Sequence, residues 1–382
     1  MKKSYLLINW TDGVKINKDH FIESDFHHIE SARDYATTHL TNYNYGLLEA
    51  ASGQNEAINL SIDVHTQERI ALRLKYCNAI TRKGCRILFN NELYGGNEPT
   101  ATIESKDIDV NSNLEFLVIV TINPFNLVPV GEPDPENIPL HHPNALPKTD
   151  LTIISKSQFN TSFLEKHYLI VGKLQWKNGA FVLDNNYLPP IAKIKYHTNL
   201  LTFHKKVCDV MIRLRNYSLI INSKNRHKFQ NNKLASNTFK LCIKVMDYVS
   251  DYLFQYTQMG EENSPIFLAQ SISVLGNYIS TELAILQEED REKLLQYYYE
   301  WIDIKPSVFE TTVGDVINLD YDHNDINQTI EKLDYFMAVL ERLWKKMSDL
   351  EYIGIRKDNI VTSQDKITLR DSKKDNSWSI ID

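Results

Sequence analysis

Long apolar runs are missing from this sequence. None approaches the roughly 20 residues a helix needs to cross a bilayer, so no direct membrane insertion is expected. At the N-terminus Tyr5-Leu6-Leu7-Ile8 is cut short by Asn9 and Asp12, which leaves no apolar core for a signal peptide. A cytoplasmic protein is expected. Cysteine is scarce: Cys77, Cys85, Cys208 and Cys242 are the four in 382 residues, and none belongs to a C-x-x-C pair. That spacing indicates neither a zinc ribbon nor a redox dithiol, and it fits a reducing compartment. A positive charge excess is missing as well. Lys plus Arg is 42 against 49 for Asp plus Glu, a formal net charge of −7, which argues against nucleic acid as the main partner. What is present is ordinary: 42% hydrophobic and 24% charged residues, which exclude collagen-like, disulfide-scaffold and fully disordered classes. The length exceeds one typical core, so two or three domains are expected.

Signatures of familiar chemistry are also absent. The chain has no G-x-G-x-x-G, no G-x-x-x-x-G-K-[ST], no G-x-S-x-G and no H-E-x-x-H, so no phosphate-cradling loop, nucleophile elbow or zincin helix is indicated. His27 and His28 sit on a predicted helix, where adjacent side chains diverge by about 100° and do not share one metal easily. His141-His142 lies in a proline-rich stretch, without a cysteine or carboxylate at ligand spacing. Asp12, Asp19 and Asp25 near His20 read as loop and helix-cap residues. The cluster Asp320, Asp322, His323 and Asp325 lacks the glycine and distal glutamate of a calcium loop. Asp325 reads instead as the N-cap of the last helix. No catalytic residue, metal site or cofactor is expected, and the composition points to a structural or binding protein.

Two periodicities divide the chain. In the first half, Ile58–Val64 and Ile70–Leu74 alternate apolar and polar residues with period two, as half-buried strands do. Cys85–Phe89, Ala101–Ser105, Leu151–Ile154, His167–Leu174 and Phe181–Leu183 are further strand candidates. Phe116–Ile122 is continuously apolar and β-branched, the pattern of a central strand buried on both faces. Asn178-Gly179 supplies the positive φ of a type I′ hairpin turn. Many short strands with turns between them predict an antiparallel sandwich. One helix interrupts them, from Asp19 to Tyr43, with Phe26, Ile29, Arg33/Ala36 and Leu40 near one face. Residues 124–148 hold seven of the twelve prolines. Proline fixes φ and lacks an N–H, so this stretch is expected to be a loop or arm, either a contact element or a passive connector.

The second half is helical, and Pro189-Pro190 marks the boundary, because two prolines cannot continue a ladder. A first helix is expected from about His197 to Asn216, followed by a polar basic loop over 222–233. Phe239, Cys242, Met246, Val249, Leu253 and Tyr256 are spaced alternately three and four apart, a heptad seam. Ser264-Pro265 reads as an N-cap followed by proline. Ile272, Leu275, Ile279, Leu283 and Leu286 continue the spacing, and a further helix covers 288–303. The last helix carries Leu333, Met337, Leu340, Trp344 and Met347 as an oligomer or bundle seam, with Tyr335, Phe336 and Leu343 off it. Beyond Leu350, Tyr352–Ile355, Asn359–Val361 and Lys366–Leu369 are short strand candidates in front of a polar tail tipped by Trp378 and Ile380-Ile381.

A set of residues in the first half carries a family resemblance. Trp10-Thr11-Asp12-Gly13, then His20-Phe21, then Tyr45-Gly46-Leu47 is followed by Tyr168–Leu174, Phe181–Asp184 and Tyr187-Leu188-Pro189-Pro190. In order and spacing these resemble the TssK family of type VI secretion baseplate subunits, in a divergent, Bacteroidetes-type form. The resemblance implies an α+β multidomain fold: an N-terminal antiparallel β-sandwich (shoulder), a helical bundle (neck), and here a short C-terminal β-containing module as a reduced head. Expected bounds are an N-terminal segment over 1–18 that packs on the neck, a shoulder over 19–190, a neck over 191–350, and a small module over 351–382. It further implies a homotrimer that binds the wedge proteins TssF and TssG and reaches the membrane-complex proteins TssL and TssM at the inner face of the cytoplasmic membrane. Trp10, Asp12, Gly13, His20, Phe21, Tyr45 and Gly46 are the implied wedge-binding or shoulder–neck residues. The family head is larger than 351–382, which puts the membrane contact in question. Two other readings stand beside this one: a phage-tail-like trimer binding a receptor or carbohydrate, and a metal hydrolase built on His141-His142.

Overall fold

The computed structural model describes residues 4–66, 69–108, 114–136, 138–159, 167–224 and 232–357. They form two compact units. The first comprises Met1–His204, Gly260–Phe267 and Tyr321–Thr329; the second comprises Lys205–Met259, Leu268–Asp320 and Ile330–Asp382.

The first unit is built on two antiparallel sheets. In one, β3 (Arg69–Ile80) is the long central strand, paired with β1 (Gly46–Leu47), β2 (Ile58–Thr66), β4 (Arg86–Asn90) and β5 (Thr100–Glu104). The other has the order β7 (Asn144–Ser155), β6 (Glu115–Val130), β8 (His167–Lys177), β9 (Ala180–Leu183). Phe116 to Val120 is buried without interruption, as its unbroken apolar run predicts. The β8–β9 hairpin turns at Asn178 (φ 52°) and Gly179 (φ 80°), which is the turn that Asn-Gly favours. α1 (Lys18–His39) starts at a capping box: the Asn17 side chain accepts from the His20 N–H, and the His20 ring reaches back to the Asn17 N–H. Phe26, Ile29, Arg33, Ala36 and Leu40 are all half-buried, so the expected face is the one that packs.

The proline-rich stretch is only partly the loop that proline content suggests: the described residues between Val130 and Asn144 belong to no strand, but both its ends do. β6 extends to Val130 and β7 begins at Asn144, with Leu127–Val130 paired to Asn144–Pro147. Two facts let proline into this ribbon. Among the described residues, β8 pairs with Glu115–Ile122 and with no residue of the far half of β6, so no second donor is asked of Pro129 there. The β6–β7 ladder also skips between Asn123 and Leu127, where Pro124 and its missing N–H fall.

The second unit is helical. It holds α2 (Thr198–Ser223) from Lys205, α3 (Lys233–Met259), α4 (Ile266–Ile285) from Leu268, α5 (Glu288–Ile302), α6 (Pro306–Ile317) and α7 (Ile326–Asp349) from Ile330. α6 is a helix the periodicity did not suggest; Pro306 in its first turn is the signal that was there. Lys206 pairs with Asp334 and Arg213 with Glu341. The two pairs step by the same interval along each helix, so α2 and α7 run parallel. Leu333, Met337, Leu340, Trp344 and Met347 are all at most 2% exposed. Trp344 Nε1–H donates to Ser218 Oγ at 2.8 Å, so its indole is both packed and satisfied. Phe336 and Leu343 are buried too, whereas Tyr335 is exposed. α7 therefore spends two apolar stripes inside the chain.

Tyr352–Ile355 forms no strand. Gly354 turns with φ +85°, its N–H donates to Tyr297 Oη, and its carbonyl accepts from Asn232 Nδ2. Side chains take the bonds that a neighbouring strand would have supplied. The candidates at 359–361 and 366–369 and the tail lie outside the described residues, as does most of the basic loop over 222–233.

Candidate functional site

Three segments distant in sequence meet in the first unit. β1 is only two residues long, yet it is held on both sides. Its Gly46-Leu47 backbone pairs with Ile80 and Ala79 of β3. On its other side the Leu47 N–H donates to the Pro190 carbonyl at 2.8 Å, and the Leu47 carbonyl accepts from the Ala192 N–H at 3.0 Å. The β8–β9 ladder has already ended at Leu183, and Pro190, which has no N–H to give, contributes its carbonyl to β1. Gly46 sits at φ +115°, and a Cβ there would lie 2.1 Å from Pro190 O. Only glycine fits that approach.

The third segment is Tyr321–Asp325. His323 is buried; its Nε2 lies 2.9 Å from the Tyr45 carbonyl and its Nδ1 2.8 Å from Tyr321 Oη. A carbonyl only accepts, so Nε2 carries the proton and Nδ1 accepts from the phenol. Burial lowers the His323 pKa to about 4 and outweighs the opposing Tyr45 bond and Asp322 charge. Burial likewise raises Tyr45, Tyr187 and Tyr321. At neutral pH all four rings are uncharged and act as fixed donors and acceptors. Tyr45 Oη donates to Asn324 Oδ1 at 3.1 Å and Tyr187 Oη to the Asn324 carbonyl at 2.7 Å. Lys173 pairs with Asp325 and lies 5.2 Å from the Tyr187 ring centroid. Asp325, directly before the first residue of α7 as expected for its cap, pairs with that lysine through Oδ2.

The N-terminal residues form a different surface. Ser4 and Tyr5 N–H groups donate to the Glu30 carboxylate of α1 at 2.9–3.1 Å. Val14 N–H donates to the Thr11 carbonyl across a turn in which Gly13 takes φ +85°, as an Asp12-Gly13 pair allows. Trp10 packs edge-on against His20, centroids 5.6 Å apart, and yet stays 53% exposed. Phe21 is 60% exposed, and Leu6 and Leu7 are exposed as well. The structure thus joins Tyr45 and Gly46 to Pro189 and Pro190, and keeps Trp10 with His20. It also adds Lys173, Tyr187, His323 and Asn324, of which Lys173 and Tyr187 stood in motifs and His323 in the acidic cluster.

The other candidates resolve locally. His142 Nδ1 bonds the Gly131 carbonyl at 2.7 Å and His141 Nδ1 the Pro139 carbonyl at 3.2 Å. Among the described residues no group of three His, Cys, Asp or Glu is placed to hold a metal. None of their helices is long and apolar enough to cross a membrane. Burial pushes the Cys77 and Cys242 thiols up to about 12, far from a reactive thiolate.

No family model matches the chain, and no curated protein matches its sequence. Solved structures do. A crystal structure of TssK aligns at a TM-score of 0.51 and 16% identity, over 88% of this chain and 68% of that one. A chain of the baseplate complex from the type VI secretion system aligns at a TM-score of 0.52 and 13% identity, over 90% of this chain and 100% of that one. The class is therefore α+β, with two antiparallel sheets and a helical unit. Within that class the chain has a TssK-like fold.

Proposed function

We propose that this chain is a non-enzymatic baseplate component of a type VI secretion system, a trimeric adaptor between the wedge proteins TssF and TssG and the membrane complex. The observation that carries this reading is its likeness, over 90% of its length, to a chain of such a baseplate complex. In this reading residues 19–190 are the shoulder, 191–350 the neck and 351–382 a reduced head. The protein works in the cytoplasm and at the inner face of the membrane when assembled, with TssL and TssM as the membrane-side partners. Trp10 and Phe21 supply the wedge contact, because they are the exposed apolar groups that the N-terminal resemblance marks, and the exposed Leu6-Leu7 pair nearby in sequence adds to it. Tyr45 and Gly46, by contrast, serve the fold of the shoulder. Trimer contacts fall to exposed apolar residues such as Ile243, Phe254 and Ile285, since the α7 seam is consumed inside the chain.

Co-expression with TssF and TssG, followed by affinity purification and light scattering, tests the reading. A trimer that retains both wedge proteins is expected. A clean monomer at micromolar concentration with no wedge protein retained would overturn it. Trp10→Ala should cost roughly 2 kcal/mol of wedge binding, as truncated interface tryptophans do, with circular dichroism unchanged. Undiminished TssG co-purification would remove Trp10 from the contact.

A further inference from the structure

Beside the buried junction, within the first unit, lies a cleft of about 270 Å³. Its walls are apolar and come from both sheets: Leu60 of β2, Val171 of β8 and Leu183 of β9, with Tyr187 beyond them. Its edge is acidic. Glu56 and Asp184 line it, and no lysine or arginine does. His197, the one histidine in its lining, adds no compensating charge. Its Nδ1 accepts from the Asn199 N–H at 3.2 Å, and burial lowers its pKa against an upward pull from Glu56. Lys173 is engaged by Asp325, and Lys193 and Lys195 by Glu262. The volume falls below the roughly 300–1,000 Å³ of ordinary small-molecule pockets, so one or two side chains fill it.

We propose that this cleft docks a segment of a partner protein in which a large apolar side chain is flanked by lysine or arginine. The apolar side chain enters between Leu60, Val171 and Leu183, and its cationic neighbours meet Glu56 and Asp184 at the edge. Complementary charge then sets specificity while the buried side chain supplies affinity. This does not rest on the baseplate reading: any partner with that chemistry would serve.

The test uses the full chain and the peptide acetyl-Arg-Leu-Arg-Leu-Arg-amide, followed by NMR of the Leu60, Val171 and Leu183 methyl groups. The peptide should shift those methyls saturably, with affinity falling as salt rises. A peptide with glutamine in place of arginine should bind at least tenfold more weakly. Glu56→Lys should weaken the arginine peptide by a similar factor, and Glu56→Gln by less. Glu56 is exposed, so neither change should disturb folding. Unmoved cleft methyls at millimolar peptide would overturn the proposal. Equal shifts with the glutamine peptide or with Glu56→Lys would overturn it too. Wedge-protein co-purification is a separate readout, so failure here leaves the baseplate reading standing.

Discussion

His323→Gln should change how stability depends on pH. In the folded chain burial lowers the His323 pKa from 6.5 to about 4. Below pH 6.5 the unfolded chain takes up a proton that the folded chain refuses, so stability falls as pH falls. The loss begins near 6.5 and levels off below about 4. At pH 5 nearly every unfolded copy is protonated at this site and about one folded copy in ten, which amounts to about 2 kcal/mol. Glutamine does not titrate, and it can keep only part of the Tyr45 and Tyr321 bonding. The variant should therefore be less stable at pH 7 by about 1–3 kcal/mol, and this deficit should shrink by about 2 kcal/mol at pH 5. His167, also lowered to about 4 by burial, and His197 titrate in both proteins and cancel in the comparison. Urea unfolding at the two pH values measures the difference, and an NMR titration of the His323 ring measures the pKa directly. A native His323 titrating near 6.5, or equal losses in the two proteins, would refute the burial argument.

Three other outcomes follow from the same geometry. Gly46→Ala places a methyl 2.1 Å from Pro190 O at φ +115°. Strained backbone and overpacking together should cost about 3–5 kcal/mol, and a loss under 1 kcal/mol by urea unfolding would contradict the close approach. Lys173→Met leaves Asp325 buried without its partner and should cost about 3 kcal/mol. Adding Asp325→Leu should restore much of that, and a double-mutant cycle showing no coupling would dissolve the pair. Leu340→Ala opens a cavity inside the second unit and should cost about 2–5 kcal/mol at any protein concentration. A loss confined to dilute solution would instead assign Leu340 to a subunit interface.

Period-two alternation and Asn-Gly turn chemistry are local signals, and so β2, β3, β8 and β9 could be read directly from residues. The heptads of α3, α4 and α7 were legible for the same reason. Proline counting misled at 124–148 because its force depends on neighbours: a missing N–H matters only where a second strand asks for it. Tyr352–Ile355 misled in the opposite sense. Its apolar pattern suits a strand, but pairing is decided by what lies alongside, and there Tyr297 and Asn232 take the bonds.

The junction was half legible because its parts belong to three segments. Tyr45-Gly46 and Pro189-Pro190 stood out as motifs, but neither explains itself. Gly46 is needed because of the Pro190 carbonyl, and that carbonyl is free to accept from Leu47 because it lies beyond the end of β9 at Leu183. His323 and Asn324 carried no signal beyond an acidic neighbourhood that suggested a cap or an ion. Their role depends on the Tyr45 carbonyl and hydroxyl, some 280 residues away in sequence. This sorting changes where partner contacts fall. A residue buried and bonded within its own unit contributes to partner binding only through the fold. Gly46, Tyr45 and the α7 seam are of that kind. Trp10 and Phe21 keep more than half their surface exposed, and water-exposed aromatics of that size gain most when a second protein covers them. Substitutions at the junction should therefore register first in stability, and substitutions at Trp10 first in binding.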